Sequence, residues 1–285
     1  MPSVVVTGVS TGIGAAIAAD LCRRGWRVFG TVRRMDDADR LGAELGENFT
    51  PVIADVTDAD SLSRAAATVA GALDGAGLDG LVCNAGISIP GPILHQPLEE
   101  LDRQWKVNVL GQVATVQAFG SLLGAREGFA GKPGRIVMMS SVSGRLSWPV
   151  VGGYAASKHA LEAISHSLRR ELIPFGVDVV IVGPGPVATP IWEKSAAGVD
   201  RSLYQATIYG PLIERFETEV LARARHALPP QAVADVVHTA LTVDKPKVRY
   251  AITPSPLMNW ILPLILPARW LDRIAAKRLG LTRKR

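Results

Sequence analysis

The chain has 285 residues, of which 48% are hydrophobic and 20% are charged, so it has enough apolar material for a substantial core. Its 2 cysteines, Cys22 and Cys83, exclude a disulfide scaffold and a cysteine-rich zinc module. All of its apolar runs fall short of the roughly 20 residues that a membrane-spanning helix needs. The first residues lack the basic region of a secretory signal, so we expect a cytoplasmic protein.

The net charge of +5 is concentrated at the C-terminus. Residues 268–285 contain 7 basic side chains and 1 acidic side chain, which leaves a net charge of −1 on the rest of the chain. A nearly neutral body argues against a nucleic acid as partner, because binding to phosphates needs a basic surface. Any partner that is recognised by charge is therefore recognised by the C-terminal residues.

Short apolar runs rich in β-branched residues alternate along the chain with longer helical patterns, which predicts repeated βαβ units. The predicted strands are Ser3–Thr7, Arg27–Val32, Thr50–Asp55, Gly80–Asn84, Arg135–Ser140, Val177–Val182 and Val248–Thr253. The predicted helices are Gly12–Arg24, Ser61–Leu73, Leu98–Leu123, Tyr154–Phe175 and Pro230–Thr242. We therefore predict an α/β fold with a doubly wound (Rossmann) seven-stranded parallel sheet, in the order 3-2-1-4-5-6-7.

Residues 1–253 are predicted to form one domain, within which residues 191–228 break the alternation as a helical insertion. Residues 254–285, here called the C-terminal extension, differ in composition. Prolines interrupt an apolar run at the start of the extension, and a basic amphipathic helix is predicted to follow. The fold is therefore expected to carry a helical extension at its C-terminus.

The first predicted strand leads through a glycine-rich loop into a helix. Glycines allow the tight turn and close backbone approach that a pyrophosphate needs, and a helix N-terminus directs N–H groups at the anion. The loop therefore predicts a dinucleotide site, and a strand-to-helix turn without a ligand is the alternative. The loop residues of this site are Gly8, Ser10, Thr11, Gly12, Ile13 and Gly14.

The second predicted strand is followed directly by Arg33 and Arg34. Enzymes that use NAD usually place an Asp or Glu near this point to accept from the ribose hydroxyls. A guanidinium binds a 2′-phosphate instead, so the two arginines predict NADP(H) as the cofactor, with Ser10 as a further donor. NAD(H) stays open, because Asp36 and Asp37 could reach a ribose and because the arginines could be solvated loop charges.

Tyr154 and Lys158 share one face of a predicted helix, because they are spaced i, i+4. A phenol near its free pKa of about 10 is a poor acid–base catalyst at neutral pH, and a neighbouring ammonium favours the phenolate. Ser141 follows a predicted strand 13 positions before Tyr154. The three residues together predict acid–base catalysis, whereas a Tyr-x-x-x-Lys pair alone is usually structural.

These motifs follow one another in the order of the short-chain dehydrogenase/reductase family, which the chain resembles over about residues 3–253. The matching positions are Thr7-Gly8-x-x-x-Gly12-x-Gly14, Asn84-Ala85-Gly86, Asn108, Ser141, Tyr154-x-x-x-Lys158 and Pro184-Gly185-Pro186-Val187-Ala188-Thr189. The glycine loop, the end of the second strand and the loop at 184–189 look most like the steroid- and retinoid-handling branch. Cys83 departs from the usual Asn and would pack as a small hydrophobe.

The resemblance implies an NADP(H)-dependent alcohol dehydrogenase or carbonyl reductase. Tyr154 would be the acid or base, Ser141 would polarise the substrate oxygen, and Lys158 would lower the pKa of Tyr154 and hold the nicotinamide ribose. Asn108 would bend its helix and support a water linked to Lys158, or be an ordinary helix residue. The other implied cofactor contacts are Asp55, Val56, Asn84, Ala85, Gly86, Pro184, Gly185, Val187 and Thr189. For Asp55, a structural role in a turn or helix cap is the alternative.

Three segments are expected to enclose the substrate: residues 87–95, 143–149 and 191–228. Their side chains are mostly apolar, which favours a lipophilic secondary alcohol, a ketone or a retinoid-type aldehyde; core packing is the alternative for each of them. The candidates are Ile89, Ile93, Leu94, Leu146, Trp148, Ile191, Trp192, Leu203 and Tyr204. The histidines show no metal-ligand spacing, so no metal site is expected.

The family resemblance implies a homodimer formed through the helices that carry Asn108 and Tyr154, and leaves a tetramer open. The C-terminal extension could contact a membrane surface, cap the substrate entrance, or pack against the domain or a partner subunit. Two other functions stay open: a catalytically silent nucleotide-binding regulator and a lipid-binding protein at a membrane surface. The first has no need for all four of Asn108, Ser141, Tyr154 and Lys158.

Overall fold

A parallel sheet lies at the centre of the molecule. The computed structural model describes residues 1–191, 200–224 and 227–281. The predicted sheet is confirmed: it has seven strands in the order β3-β2-β1-β4-β5-β6-β7, and neighbouring strands run parallel. The strands are β1 (Ser3–Thr7), β2 (Arg27–Val32), β3 (Phe49–Ile53), β4 (Gly80–Cys83), β5 (Arg135–Met139), β6 (Asp178–Pro184) and β7 (Arg249–Ile252).

Helices cover both faces of the sheet. Those between the strands are α1 (Gly12–Arg23), α2 (Met35–Leu45), α3 (Ala59–Leu73), α4 (Leu98–Trp105), α5 (Gly111–Phe119), α6 (Gly152–Glu171), α7 (Ser202–Gln205), α8 (Gly210–Ala224) and α9 (Pro230–Thr242). The C-terminal extension contains a π-helical turn at Leu257–Ile261, then α10 (Leu262–Ile265) and α11 (Ala268–Leu279). None of the described helices is both long and apolar enough to cross a membrane.

The alternation of side chains along each strand builds two cores, one on each side of the sheet. Val4 and Val6 of β1 point to one side, where they join buried residues of α1 and α9 such as Ile17 and Val237. Val5 lies between them in sequence and joins the other core, with residues of α3, α5 and α6. Both faces are therefore apolar, as the continuously apolar strands predict.

Helix α2 was not among the predicted helices. Its buried residues are Ala38 and Leu41, too few to make a strong apolar stripe in sequence. Asp36 and Asp37 lie in its first turn, where carboxylates interact favourably with the helix N-terminus. The helix therefore forms on a weak apolar pattern and turns the chain back from β2 to β3.

The predicted helix Leu98–Leu123 is interrupted. A π-helical turn at Lys106–Leu110 separates α4 from α5, and a short 3-10 turn follows at Gly120–Leu123. Gly111 directly follows the π turn, and a Cβ added to it would lie 2.9 Å from Val56 Cγ2, so only glycine lets the helix approach the loop after β3 this closely. π turns inside helices are frequent at functional sites.

A third, smaller core joins the loop before α6 to the insertion and the C-terminal extension. Val150, Tyr204, Leu212, Ile213 and Leu279 are its buried members. Because Leu279 ends α11, this cluster fixes the last helix of the extension against α8. The other face of α11 stays exposed, including Trp270 at 58% of its full accessibility.

Candidate active site

The predicted site residues converge at the carboxyl ends of the central strands. The chain leaves β1 toward β2 on one side of the sheet and leaves β4 toward β5 on the other, so the loops after β1 and β4 diverge and open a crevice. The glycine loop lies on one wall of this crevice, and the loops after β4, β5 and β6 contribute the rest. Ligands of open α/β sheets bind at such a point.

The glycine loop is fastened to the loop after β4. Thr7 Oγ1 accepts hydrogen bonds from the backbone N–H groups of Asn84 (2.9 Å) and Ala85 (3.0 Å), and Asn84 Nδ2 donates to the carbonyl oxygens of Thr7 (2.9 Å) and Gly8 (3.2 Å). Gly8 has a φ of +72°, and a Cβ on Gly14 would lie 2.5 Å from Asn84 Nδ2. Glycine is therefore required at both positions for the loop to take this shape.

Two further glycines of the crevice, Gly12 and Gly86, lie close to side chains from other loops and helices. A Cβ on Gly12 would contact Thr189 Cβ at 3.4 Å, so the loop after β6 faces the glycine loop closely. A Cβ on Gly86 would lie 3.3 Å from Asn108 Oδ1 and 3.7 Å from Lys158 Nζ. The predicted cofactor residues from β1, β4 and β6 thus surround one space together with Lys158.

The loop after β6 is ordered by backbone bonds. The N–H of Gly185 donates to the Ile252 carbonyl at 2.7 Å, and Val187 forms an isolated parallel bridge with Leu228. Leu228 N donates to the carbonyl of Pro186 (3.0 Å), which leaves Thr189 at the edge of the crevice. The predicted contacts Pro184, Gly185, Val187 and Thr189 therefore lie on one rigid loop.

The arginines after β2 differ in their surroundings. Arg33 is exposed, while Arg34 Nη2 pairs with Asp36 Oδ2 at 2.5 Å. Arg40 donates from Nη2 to the Ser10 carbonyl at 2.9 Å and pairs with Asp37 at 3.2 Å. This residue was not predicted at the site, because its helix α2 was not predicted. Asp36 and Asp37, the carboxylates that kept NAD(H) open, are thus both engaged by arginines.

Asp55 sits in the turn after β3. Its Oδ1 accepts from the backbone N–H (2.9 Å) and the hydroxyl (2.7 Å) of Thr57. These bonds are the structural role in a turn that we gave as the alternative to a cofactor contact. Burial acts to raise the pKa of Asp55, but the two hydrogen bonds from Thr57 and the positive charge of Arg33 outweigh it, so the pKa lies below its ordinary value. Asp55 is therefore a carboxylate at neutral pH.

Ser141 and Tyr154 are brought together across the end of β5. Ser141 lies two residues beyond β5, and Tyr154 lies in the first turn of α6. The Ser141 side chain is near enough to the Tyr154 hydroxyl to lower the pKa of the phenol. Ser141 Oγ also accepts from the N–H of Ser143 (3.1 Å) and donates to the Pro184 carbonyl (3.3 Å), so it is held from two sides.

The pKa of Tyr154 departs from the sequence-based expectation. Burial around its hydroxyl raises the pKa above the ordinary value of 10, and the hydrogen bond with Ser141 offsets part of that rise. The expected lowering of the Tyr154 pKa by Lys158 does not prevail, because the ammonium lies over the ring, 5.8 Å from its centroid, while desolvation acts at the hydroxyl itself. Tyr154 is thus a neutral phenol that can donate a proton.

Lys158 is buried, and its Nζ donates to the Met139 carbonyl at 2.8 Å. Burial lowers the pKa of Lys158 to about 8, although the carboxylate of Glu162 acts in the opposite direction. The ammonium therefore stays charged at neutral pH and loses its proton in mildly alkaline solution. Its position next to Gly86 places a positive charge at the floor of the crevice.

Asn108 lies in the π turn and is completely buried. Its Oδ1 accepts from Ile87 N (2.8 Å), and its Nδ2 donates to Ile87 O (2.8 Å) and Ser157 Oγ (3.0 Å). Ser157 Oγ in turn donates to the Tyr154 carbonyl at 2.7 Å. Asn108 thus connects the loop after β4 to the helix that carries Tyr154 and Lys158, and its support of a water stays a prediction.

Two glutamines on the same helical segment were missed. Gln104 exchanges hydrogen bonds with the backbone of Ile89 (3.0 and 3.2 Å), and Gln112 Nε2 donates to the Ala85 carbonyl at 2.5 Å. Gln104, Asn108 and Gln112 are spaced four residues apart. Amide side chains at that spacing on an otherwise apolar face were the signal that could have found them.

Only some of the residues that were expected to enclose the substrate are exposed. Ile93 and Leu94 are exposed, at 56% and 76%, and Leu203 is 42% exposed. Ile89 and Tyr204 were expected at the wall but are buried, because Ile89 is fastened by Gln104 and Tyr204 packs in the third core. Trp192 lies outside the described residues. Among the described residues, no cluster of His, Cys, Asp or Glu could hold a metal ion.

Known proteins share this combination of fold and residues. A sequence profile described as short chain dehydrogenase matches residues 2–200. The chain belongs to the short-chain dehydrogenase/reductase family. It is therefore an oxidoreductase, and the family expectation drawn from the motifs is confirmed.

Full-length relatives support the family assignment. An NADPH-dependent 3-dehydrocapnine reductase of Ornithobacterium rhinotracheale is 39% identical over 275 residues, which cover 96% of each chain. Human retinol dehydrogenase 5 is 31% identical over 282 residues, covering 95% of this chain and 86% of the relative. A crystal structure of a short-chain dehydrogenase from Streptomyces avermitilis superposes with a TM-score of 0.73 at 26% identity, covering 97% of this chain and 94% of that one.

Proposed function

We propose that the protein transfers a hydride between NADP(H) and a lipophilic secondary alcohol or ketone, or a retinoid-type aldehyde. The observation that carries the proposal is that Ser141, held by the Pro184 carbonyl and the Ser143 amide, lies beside Tyr154, while Lys158 lies over the Tyr154 ring and next to the space that Gly86 leaves open. Two neighbouring hydroxyls that can both donate suit a carbonyl oxygen, whose negative charge grows during reduction. NADP(H), when bound, supplies the hydride, and the protein supplies position and charge.

In the proposed mechanism, Tyr154 donates its proton to the substrate oxygen during reduction and accepts a proton from the alcohol during oxidation. Ser141 donates a hydrogen bond to the same oxygen by turning its one hydroxyl proton away from the Pro184 carbonyl, while its oxygen continues to accept from the N–H of Ser143. Lys158 keeps a positive charge below the phenol, which stabilises the phenolate left after proton transfer. Asn108 holds the loop after β4 against α6, so the acid and the substrate oxygen keep their relative positions.

The residues present fit a dinucleotide phosphate. Helix α1 begins at Gly12, so its N-terminal N–H groups point into the crevice, and Arg33 is exposed at the end of β2. Arg40 brings a second guanidinium to the glycine loop, while Asp37 is engaged by it. The reductase of O. rhinotracheale is named as NADPH-dependent, which supports the same choice here.

The substrate class is proposed from the apolar surroundings and from the relatives. The exposed side chains of Ile93 and Leu94 present apolar surface beside α6, since a Cβ on Gly152 would lie 2.8 Å from Ile93 Cγ1. Relatives named retinol dehydrogenases from human and mouse span most of this chain. These observations support a lipophilic substrate, and the competing idea of a catalytically silent regulator leaves the Ser141–Tyr154 pair without a use.

We further propose a homodimer that forms through the helices that carry Asn108 and Tyr154, with exposed apolar residues of α4 and the π turn at its centre. Leu98, Trp105 and Leu110 are exposed at 75%, 43% and 53% although they are large and apolar. A second copy of the chain would cover them, because isolated apolar patches of this kind mark interfaces.

We also propose that α11 rests on an anionic membrane surface. Trp270 and Ile274 are exposed on the side of α11 that faces away from the third core, and Lys277 and Arg278 lie in its last turn. An aromatic and aliphatic strip flanked by cations suits the boundary between lipid head groups and acyl chains.

Tyr154→Phe tests the proposed acid. Removing the hydroxyl should reduce the turnover of a lipophilic ketone with NADPH by about 10²–10⁴-fold, because the proton donor is lost, and should leave NADPH binding nearly unchanged. Tyr250→Phe is the matched control, since the Tyr250 hydroxyl accepts from Lys247 N (3.1 Å) outside the crevice. Turnover of Tyr154→Phe equal to that of the control would refute the mechanism.

Arg33→Ala tests the cofactor choice. The dissociation constant for NADPH should rise by about tenfold or more relative to that for NADH, because a hydrogen bond to a charged group contributes about 1.5–3 kcal/mol. Fluorescence titration of both cofactors measures the ratio. Arg64→Ala, which removes an exposed arginine of α3, is the control, and an unchanged ratio in Arg33→Ala would exclude Arg33 as the phosphate ligand.

Light scattering in solution tests the dimer. The wild-type chain should have twice the mass of one copy, and Trp105→Glu combined with Leu110→Glu should give a monomer, because the charges cannot be buried unpaired. Ile53→Glu changes an exposed apolar residue of β3 and should leave the dimer intact. A monomeric wild type would end this proposal.

Vesicle sedimentation tests the membrane contact. Lys277→Glu combined with Arg278→Glu should lower binding to phosphatidylserine-containing vesicles by at least tenfold, since each basic residue near such a surface contributes about 1 kcal/mol. Neutral phosphatidylcholine vesicles and the variant Arg64→Glu serve as controls. Wild-type protein that stays in the supernatant with both vesicle types would contradict the proposal.

A further inference from the structure

A buried ion pair lies directly behind the Ser141 loop. Arg249 is the first residue of β7, and its Nε donates to Glu162 Oε1 at 3.0 Å and to Oε2 at 3.1 Å. The two side chains are 10% and 5% exposed. A buried pair of this kind adds little net stability, because removing both charges from water offsets their attraction.

The same guanidinium also reaches the catalytic loop. Arg249 Nη2 donates to the backbone carbonyl of Ser141 at 2.9 Å, and the N–H of Gly144 donates to that carbonyl at 3.0 Å. Ser141 is the residue proposed to donate a hydrogen bond to the substrate oxygen beside Tyr154. A single arginine therefore connects the edge strand of the sheet to the main chain that aims the Ser141 hydroxyl.

Gly183 leaves room for this contact, and Trp260 shields it from water. A Cβ on Gly183 would lie 2.8 Å from Arg249 Cζ, so glycine in β6 leaves the space that the guanidinium fills. On the other side, the Trp260 ring of the C-terminal extension covers the guanidinium, with Cζ 4.0 Å from its centroid. An aromatic face over a cation attracts it and excludes water.

We propose that Arg249 is a positioning residue for catalysis, which holds the Ser141 main chain against β7 with Glu162 and Trp260 as its supports. The inference rests on the proposed function, because Ser141 must face the substrate oxygen for the position to matter. It assigns a part in the reaction to the C-terminal extension, through Trp260.

The geometry explains why an arginine is needed. The fork of the guanidinium lets Nε serve Glu162 while Nη2 serves Ser141, whereas a lysine ammonium supplies one point charge that cannot span both partners in the same way. Arg249→Lys therefore keeps the charge beside Glu162 and releases the Ser141 carbonyl. The released loop moves the Ser141 hydroxyl, and displacements of this kind reduce turnover more than binding.

Arg249→Lys is compared with Arg135→Lys. Arg135 starts β5 at the opposite end of the sheet, where its Nη1 donates to the carbonyls of Ala240 (2.7 Å) and Val243 (2.9 Å), so it is a matched arginine away from the crevice. Arg249→Lys should lower kcat by about tenfold and leave KM for NADPH within about twofold. Arg135→Lys should change the melting temperature without changing kcat.

Amide hydrogen exchange supplies a readout that does not depend on turnover. The amides of Ser143, Gly144 and Arg145 are bonded to the Ser141 loop itself, at 3.0–3.1 Å. Their exchange should accelerate in Arg249→Lys and stay unchanged in Arg135→Lys. Trp260→Leu should produce the same two effects at smaller size, and Leu264→Ala, which changes an exposed residue of the same extension, should produce neither.

The outcomes separate this inference from the proposed function. A wild-type chain that reduces no carbonyl substrate refutes the proposed function, while amide exchange still reports whether Arg249 holds the loop. If the wild-type chain is active and Arg249→Lys has the same kcat as the wild type, the positioning role is overturned. A loss of kcat in Arg135→Lys equal to that in Arg249→Lys also overturns it. Unchanged exchange at Ser143–Arg145 in Arg249→Lys also overturns it.

Discussion

The site depends on one set of side-chain hydrogen bonds that joins the ends of β1 and β4. At this point the chain leaves the sheet in opposite directions, and the backbone groups of both strand ends would lose their partners. The Thr7 hydroxyl and the Asn84 amide take over those bonds. Since buried backbone groups must be paired, the crevice can open only because these side chains replace the missing strand contacts.

The same principle extends to the loop after β4. Asn108 and the glutamines on either side of it, Gln104 and Gln112, project from one helical segment and satisfy the backbone of Ala85, Ile87 and Ile89. The π turn at Asn108 brings the segment close enough for these bonds. The loop is therefore rigid without belonging to any strand or helix, which a site that aligns two reactants requires.

Much of the fold follows from local sequence patterns. The order of the strands follows from alternating βα units, because right-handed crossovers leave few other arrangements. Helix α2 escaped prediction because only Ala38 and Leu41 are buried along it, and its Arg40 was missed for the same reason. For Tyr204 the alternative of core packing is the one that the structure shows; the sequence left both open, since an aromatic residue near the crevice and one in a small core look alike in sequence.

Some contacts at the site could be predicted from the sequence, and others depend on the assembled fold. Tyr154 and Lys158 are one helical turn apart, so their proximity is readable from spacing. The contact of Arg249 with Ser141 joins residues 108 positions apart, and the Glu162 contact joins residues 87 positions apart. Such contacts arise only when β7 adds to the sheet. The direction of the Tyr154 pKa was also beyond the sequence, because burial of its hydroxyl is a property of the assembled loops.

The place of β7 in the chain has a consequence for biosynthesis. A nascent chain that has emerged only as far as residue 248 already contains every residue of the glycine loop and the Tyr-x-x-x-Lys pair. The sheet still lacks its edge strand at that stage, the Ser141 carbonyl lacks the guanidinium, and the indole that covers it arrives later still. On the ribosome, the glycine loop and the Tyr-x-x-x-Lys pair are therefore synthesised before the strand that supports Ser141 and, through Ile252, the loop after β6.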